Sequence, residues 1–256
     1  MGYRNADSNP RILILHCMTG VALHFEQVSK RFGEVAALTD FTLEVGRGEF
    51  FGLVGVNGAG KTTLIKCLLD FCDADSGGIE IFGVRHRLTA ARSRLAFLPE
   101  RFNPPHFLTG RDFLQYMLKL YGQPYEDRQI AQVFAGLDLD PAVLGKAART
   151  YSKGMTQKLG LAACLLSGKD LYVLDEPTGG LDPKARALFK RALRELKQAN
   201  RTVFFTSHAL ADIAEMCDRM AVLHGGKLRF AGSPEELAQP FGAGGLEQAF
   251  LACIAS

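Results

Sequence analysis

The sequence predicts an α/β fold with a mainly parallel core sheet, an N-terminal antiparallel β subdomain and an inserted α-helical subdomain. Nearly continuous apolar runs, typical of strands buried on both faces, recur at residues 50–56, 171–174, 202–206 and 220–223. A helical pattern separates the second run from the third, and such strand–helix–strand alternation gives parallel strands. Residues from about 101 to 165 carry helical patterns instead, so we expect the helical subdomain there.

The first twenty residues are expected to form an N-terminal extension ahead of the main domain, which we place at residues 21–240. Met18 is a plausible alternative start of the protein, so residues 1–17 are either an addition to the native protein or a flexible arm. Residues 12–23 weakly resemble the apolar part of a signal peptide, but polar residues interrupt that stretch.

The remaining elements follow in chain order. Alternating apolar residues at 21–45 predict antiparallel strands, and the buried strand at 50–56 leads through a glycine-rich turn into a helix at 62–69. Three helices are predicted in the insert, at residues 111–121, 126–137 and 152–166. Pro183–Gln198 predicts an amphipathic helix with a solvated basic face. The tail, residues 241–256, is predicted to hold one short helix.

Composition and charge exclude several classes of protein. Thirty basic and 27 acidic residues give a formal net charge of +3, too weak a bias to predict a nucleic-acid partner. No apolar run reaches the ~18 residues needed to cross a bilayer. The six cysteines lack metal-binding spacing, so we expect reduced thiols packed as small apolar side chains.

The glycine-rich turn carries the pattern G-x-x-x-x-G-K-[ST]. Its glycines let backbone N–H groups curl around phosphate oxygens, and the N-terminus of the following helix attracts anions. Lys61 is predicted to bridge the β- and γ-phosphates of a nucleotide, and the Thr62 hydroxyl to ligate Mg²⁺. The predicted nucleotide-binding residues are Gly55, Asn57, Gly58, Ala59, Gly60, Lys61, Thr62 and Thr63. The turn therefore predicts a P-loop NTPase.

Two adjacent carboxylates follow the buried strand at 171–174. Asp175 is predicted to hold the metal ion, directly or through water, because it ends a strand beside the phosphate loop. Glu176 is predicted to take a proton from an attacking water molecule. Taken alone, the pair could equally well belong to a surface turn before Pro177. Its position downstream of a phosphate loop favours a catalytic role.

Three further segments stand in a recognisable order. Residues 151–157, Tyr-Ser-Lys-Gly-Met-Thr-Gln, and residues 180–183, Gly-Leu-Asp-Pro, follow the phosphate loop, and His208 follows the strand at 202–206. From about Leu23 onward this order resembles the ATP-binding subunits of ATP-binding-cassette (ABC) transporters. In that family the three segments are the signature (usually Leu-Ser-Gly-Gly-Gln), the D-loop and the switch histidine.

The resemblance implies a role for each matched residue. Phe32 would stack on the adenine of ATP, and Ser152 and Gly154 would contact the γ-phosphate of a nucleotide held by a partner subunit. The catalytic residues would be Lys61, Glu176 and His208. Taken alone, Phe32 and His208 would be packing or surface residues, and Ser152 would be a helix N-cap, a role compatible with binding phosphate.

Three departures from the family pattern bear on these roles. Val56 replaces a common proline of the phosphate loop, where only the backbone contributes. Lys153 and Met155 replace a glycine and a glutamine of the signature. Glu100 stands where the family carries the Q-loop glutamine. Its carboxylate is a candidate metal ligand, yet it adds negative charge near the phosphates, so its role stays open.

The resemblance also implies an assembly. The chain would close as a homodimer, or as a heterodimer with a second ATP-binding subunit, around MgATP and drive a separate transmembrane permease subunit. It would be cytoplasmic and held at the inner face of the cell membrane by that permease. Phe102, Phe107 and Phe113 are expected either to be exposed on the segment that contacts the permease or to pack in the core of the helical subdomain. The short tail, together with the Leu-Pro-Glu stretch at residues 98–100, is similar to small exporter-type cassettes that pair with ABC-2-like membrane proteins.

Three other classes of cassette ATPase are the alternatives. Ser152 lies only 91 positions after Lys61, too few for the long coiled coil of DNA-repair or chromosome-structural ATPases. A translation-associated protein usually carries two cassettes in one chain, and a regulatory module without hydrolysis would be expected to lack Glu176. The transported substrate does not follow from the sequence, because the membrane subunit selects it.

Overall fold

The computed structural model describes residues 20–179, 181–240 and 245–255. The interpretation of residues 1–17 as an addition or a flexible arm lies outside these residues, as does the first part of the predicted tail. The domain limits proposed from the sequence stay predictions.

The strands and helices alternate along most of the chain. The strands are β1 (Val21–Phe32), β2 (Val35–Gly46), β3 (Phe50–Val54), β4 (Ser76–Ile81), β5 (Val84–Arg85), β6 (Leu95–Leu98), β7 (Leu171–Asp175), β8 (Thr202–Ser207), β9 (Arg219–His224) and β10 (Lys227–Gly232). The helices are α1 (Lys61–Leu68), α2 (Thr89–Arg92), α3 (Gly110–Tyr121), α4 (Asp127–Gly136), α5 (Lys153–Leu165), α6 (Pro183–Gln198), α7 (Leu210–Met216), α8 (Pro234–Ala238) and α9 (Gly245–Ala255).

The strands form an antiparallel sheet and a mostly parallel one. The smaller sheet has the order β2-β1-β4-β5, with antiparallel pairs throughout. The larger sheet has the order β10-β9-β3-β8-β7-β6, and its strands run parallel except for β10 at one edge. The predicted α/β fold with a mainly parallel core and an N-terminal antiparallel sheet is confirmed.

The parallel sheet brings the segments that follow β3, β7 and β8 to one edge. All residues of these three strands are buried, which explains their continuous apolar patterns. β3 pairs with β8, and β8 pairs with β7 with Asp175 opposite Thr206. Ligands of open α/β sheets bind at such carboxyl ends, so this edge is where a site is expected.

Helices α3, α4 and α5 occupy the segment predicted to be helical. Helix α3 begins at a capping box formed by Thr109 and Asp112, and Gly122 ends it with a φ of 73°. Its buried apolar residues fall on one face because the helical repeat is 3.6 residues, and α3 packs on α5 and on the turn at Pro141–Gly145.

Of the two alternatives for the insert aromatics, packing holds for two of them and exposure for one. Phe113 is buried on the inner face of α3, and the half-buried Phe102 packs edge-on against it with ring centroids 5.4 Å apart. Only Phe107, which lies before the helix, is exposed, at 73% of its surface. The position of each ring relative to α3 therefore decides its exposure.

The basic face of α6 is exposed but largely paired. Five of its six basic residues form ion pairs with carboxylates. Lys190 lies 3.0 Å from the buried Asp212 of α7, and Lys197 lies 2.5 Å from Asp218. The predicted solvated face is confirmed, since five of the six basic residues are exposed, and its ion pairs also tie α6 to its neighbours.

Several short elements were not predicted. They are β4, β5, β6, β10, α2, α7 and α8. Most of them have six residues or fewer, too short a window for a hydrophobic period to stand out. Among the helices of the described residues, none combines the length and apolar character needed to span a bilayer.

Candidate active site

The glycine-rich loop joins the buried strand β3 to helix α1. A Cβ on Gly55 would lie 2.5 Å from the carbonyl oxygen of Leu223, and one on Gly60 would lie 2.5 Å from that of Ala37. Gly60 also has a φ of 115°, which side-chain-bearing residues rarely adopt. Glycine is therefore required at both positions by close backbone contact.

The loop is held between the two sheets. The N–H of Gly226, in the turn between β9 and β10, donates a 3.0 Å hydrogen bond to the carbonyl of Ala59. The carbonyl of Gly226 in turn accepts from the N–H of Thr39 in β2, at 2.8 Å. The loop conformation is thus fixed by contacts with both β2 and the β9–β10 turn.

Lys61 opens helix α1 and reaches back over the loop. Its side chain is 7% exposed, and its Nζ donates to the carbonyl of Gly55 at 2.6 Å. The same Nζ lies 3.6 Å from Oε1 of Glu176. The first N–H groups of α1 have no acceptor within the helix, so they add to the capacity of this segment to bind anions.

Asp175 ends β7 beside the start of α1. Its Oδ2 lies 3.5 Å from the Thr62 hydroxyl, and its Oδ1 accepts a 2.6 Å hydrogen bond from the Thr206 hydroxyl. Burial raises the pKa of the Asp175 carboxyl, and the nearby carboxylates of Glu100 and Glu176 raise it further. The Thr206 hydrogen bond acts in the opposite direction. The site therefore concentrates negative charge that a cation would offset.

Glu176 occupies a strained turn and is held at both oxygens. Its φ is 47°, in the left-handed region that non-glycine residues seldom adopt. Oε2 accepts from the backbone N–H of His208 at 3.3 Å and lies 2.8 Å from its ring Nδ1, while Oε1 faces Lys61. The carboxylate is thus aimed between the phosphate loop and His208.

Most of these groups line one cleft of about 1160 Å³. The predicted residues that line it are Asn57, Gly58, Ala59, Gly60, Lys61, Thr62, Thr63, Glu100, Glu176 and His208. Glu100 is exposed, and it follows β6, the neighbour of β7. The predicted residues outside the lining are Gly55, Asp175, Phe32, Ser152 and Gly154. Most of the predicted site is therefore brought together within a single chain.

Phe32 lies beside the cleft. It ends β1 and pairs with Val35, a lining residue, across the turn to β2. Its side chain is 52% exposed, and the Lys30 ammonium lies 5.4 Å from the ring centroid. An exposed ring at this edge can be covered by a flat ligand.

The predicted signature residues lie at the surface. Ser152 is the N-cap of α5, and its hydroxyl accepts from the N–H of Met155 at 3.2 Å. A Cβ placed on Gly154 would meet no heavy atom within 4 Å beyond its own helix backbone and chain neighbours, so another molecule can approach it. In the D-loop segment Gly180 lies outside the described residues, while Asp182 caps α6.

Sequence reasoning missed Thr206 and the anchor of the turn after Glu176. Thr206 is fully buried and bonds to the Asp175 carboxylate. In that turn, Thr178 donates to the buried Asp212 of α7 at 3.1 Å. A hydroxyl at the end of a buried apolar strand was the available signal for Thr206, because such a group needs a partner.

The oxygen ligands at this edge fit Mg²⁺ bound together with a nucleotide. Among the residues described, no three His, Cys, Asp or Glu side chains form a metal site by themselves. Mg²⁺ usually binds one or two protein oxygens and completes its shell with water and phosphate oxygens. Thr62 and Asp175 supply two such oxygens beside the phosphate loop.

Comparison with known proteins gives one consistent family. The family model described as ABC transporter matches residues 38–179. The chain is 38% identical to an uncharacterised ABC transporter ATP-binding protein of Synechocystis over 80% of its own length, but it spans only 58% of that relative. It is 34% identical to the Nod factor export ATP-binding protein I of Burkholderia orbicola, covering 87% of this chain and 74% of that protein.

A solved structure described as an ATP-binding subunit of an ABC transporter has the same fold. The two superpose with a TM-score of 0.82 at 28% identity, covering 91% of this chain and 99% of the other.

Proposed function

The chain belongs to the ABC transporter family, and from this membership we propose that it hydrolyses ATP to power an exporter-type transporter. The observation that carries the proposal is the convergence of Lys61, Asp175, Glu176 and His208 at one edge of the parallel sheet. An ammonium, a candidate metal-binding carboxylate and a candidate base are the groups that hydrolysis of a nucleoside triphosphate requires.

In this proposal the phosphate loop and Lys61 bind the triphosphate. Backbone N–H groups of the loop and of the first turn of α1 donate to phosphate oxygens, and Phe32 stacks on the adenine. Phosphate oxygens that enter the loop compete with Glu176 for the Lys61 ammonium, which lies 3.6 Å from its Oε1. That competition would free one oxygen of the Glu176 carboxylate.

Thr62 and Asp175 would hold Mg²⁺, with Glu100 as a further candidate ligand. When bound, Mg²⁺ offsets the negative charge of the phosphates. Glu176 takes the proton of the attacking water, while the backbone N–H and ring of His208 orient its Oε2. The proton is then held on the Glu176 carboxyl until the phosphate leaves.

The partners are also part of the proposal. Ser152 is exposed at the start of α5, and Ser152 and Gly154 would contact ATP on a second ATP-binding subunit, identical or related. The two subunits would drive a separate transmembrane permease from the cytoplasmic side. No nucleic acid is among the proposed partners. The similarity to a protein named for Nod factor export supports an exporter.

Hydrolysis by the purified protein tests the catalytic part of the proposal. We expect Glu176→Gln to retain ATP binding and to lower the rate of phosphate release by roughly 10²-fold or more, the scale of losing a general base. Glu247→Gln, an equivalent change on the exposed surface of α9, is the matched control and should keep the wild-type rate. Wild-type hydrolysis by Glu176→Gln would remove Glu176 from the role of base.

A further inference from the structure

Thr206 lies beside both residues of the acidic pair, Asp175 and Glu176. It belongs to β8, is fully buried, and stands directly opposite Asp175 in the pairing of β7 with β8. Its hydroxyl oxygen lies 2.6 Å from Oδ1 of Asp175 and 3.0 Å from the backbone nitrogen of Glu176. One hydroxyl therefore contacts both residues of the acidic pair.

The direction of these two hydrogen bonds is determined by chemistry. The backbone N–H of Glu176 can only donate, so the Thr206 oxygen accepts there. The single hydroxyl proton is left for Oδ1 of Asp175. With Oδ1 engaged, Oδ2 is the oxygen that faces Thr62, 3.5 Å away. The hydroxyl thus sets which oxygen of Asp175 points toward the phosphate loop.

The bond to Glu176 acts on the backbone rather than on the side chain. Glu176 has a φ of 47°, a conformation that persists only when the surroundings hold it. Its N–H is held by Thr206, and its carbonyl accepts from the N–H of Gly179 at 3.0 Å. Loss of the Thr206 hydroxyl would release one of these two restraints on the turn that aims the Glu176 carboxylate.

We propose that Thr206 is a positioning residue that fixes, through one hydroxyl, both the metal-facing oxygen of Asp175 and the backbone turn of Glu176. The inference rests on the proposed ATPase function. In this proposal Thr206 touches neither nucleotide nor metal and acts through Asp175 and Glu176.

The test compares three single substitutions in β8. Thr206→Val keeps the branched shape and removes the hydroxyl, whereas Thr206→Ser keeps the hydroxyl. Thr202→Val is the matched control, because Thr202 is equally buried at the other end of β8 and also accepts a backbone hydrogen bond, from Gly48 at 2.9 Å. Each variant is checked for folding by circular dichroism and thermal melting.

Two readouts separate positioning from packing. We expect Thr206→Val to lower kcat for ATP with little change in KM, since the nucleotide is bound mainly by other residues. Titration of Mn²⁺ against the protein and an ATP analogue, followed by electron paramagnetic resonance, should show affinity for the ion weakened by about 10–100-fold, the usual effect of losing a group that orients a metal ligand. Thr206→Ser and Thr202→Val should stay close to wild type in both measurements.

Equal losses in Thr206→Val and Thr202→Val would overturn the inference, as would a Thr206→Ser variant as impaired as Thr206→Val. If Thr206→Val does not fold, a crystal structure of the wild-type protein with Mg²⁺ and a non-hydrolysable ATP analogue decides. Both Thr206 hydrogen bonds should persist there, and loss of either contradicts the proposal. A wild-type protein without ATPase activity would instead refute the proposed function.

Discussion

Asp175 shows how a single residue can serve binding at a cost in stability. The residue is 3% exposed, and its carboxylate lies near the carboxylates of Glu100 and Glu176. Burying a charge is unfavourable unless it is paired, and here the Thr206 hydroxyl and the Lys61 ammonium offset part of that cost. A residue retained at such a cost is typical of a site that a cation completes.

We therefore expect Asp175→Asn to stabilise the protein when no metal is present. Asparagine keeps the shape and an oxygen for the Thr206 hydroxyl but removes the buried charge. In buffer with EDTA, differential scanning fluorimetry should show a melting temperature higher by about 2–4 °C, the shift that 1 kcal/mol produces in a domain of this size.

Two comparisons make this stability prediction specific. MgATP should raise the melting temperature of the wild type more than that of Asp175→Asn, because the variant lacks the candidate metal-binding carboxylate. Asp182→Asn should change little, since asparagine caps a helix about as well as aspartate. A lower melting temperature for Asp175→Asn in EDTA would show that the carboxylate stabilises the fold.

At the scale of elements, the end of β1 and the segment before α3 each present an exposed phenylalanine. Phe32 lies beside the cleft, next to Val35, and Phe107 lies on the helical segment. Both residues are more than half exposed, so replacing either ring with a smaller side chain should not disturb the core. The two positions therefore form a natural pair for substitution.

We expect Phe32→Ala to weaken ATP binding by at least about fivefold, because stacking of a base on an aromatic ring contributes ~1–3 kcal/mol. Phe107→Ala should bind ATP like the wild type. Isothermal titration calorimetry with inorganic tripolyphosphate, which lacks the base, should give equal affinities for both variants and the wild type. Equal ATP affinity for Phe32→Ala and Phe107→Ala would remove Phe32 from the role of stacking partner.

The strands and helices also show which parts of the site could be predicted from the sequence. The phosphate loop and the Asp175–Glu176 pair were predictable because each depends on a local pattern beside a long buried strand. The exposure of Phe107 but not Phe113 depends on where each ring lies relative to α3, which composition does not specify. Thr206 was missed because its importance arises from the register of β8 against β7, and register is a property of two distant segments.

At the scale of the whole molecule, the proposed function divides the candidate residues between two subunits. Lys61, Glu176 and His208 line the cleft and Ser152 and Gly154 do not, although Lys153 and Gln157 of the same segment do. In the proposed function, Ser152 and Gly154 act on the ATP held by the partner subunit. That arrangement predicts complementation between subunits.

Two inactive variants should restore activity when they are mixed. Lys61→Ala removes the phosphate-binding ammonium, and Ser152→Arg fills the signature surface, so each variant alone should hydrolyse little ATP. In a homodimer with two-fold symmetry, a mixed pair retains one intact composite site of its two. With random mixing, about a quarter of the wild-type sites should be intact, measurable as phosphate release.

The control for complementation is a mixture of Lys61→Ala with Glu176→Gln. Both changes affect the surface that binds the phosphates, so no composite site in a mixed pair escapes damage, and activity should stay low. Recovery in this control as large as in the test mixture would contradict a site shared between two chains. An obligatory heterodimer would show itself by inactivity of the purified wild-type chain until its second subunit is added.

The placement of the glycine-rich loop between β2 and the β9–β10 turn has a kinetic consequence. Its conformation is set by the protein's own hydrogen bonds and by backbone contacts too tight for a side chain. Capture of nucleotide then needs little rearrangement of the loop, and association should be fast. If each cycle requires two loaded subunits to meet, as the proposed function implies, that encounter would limit its rate rather than the filling of either subunit.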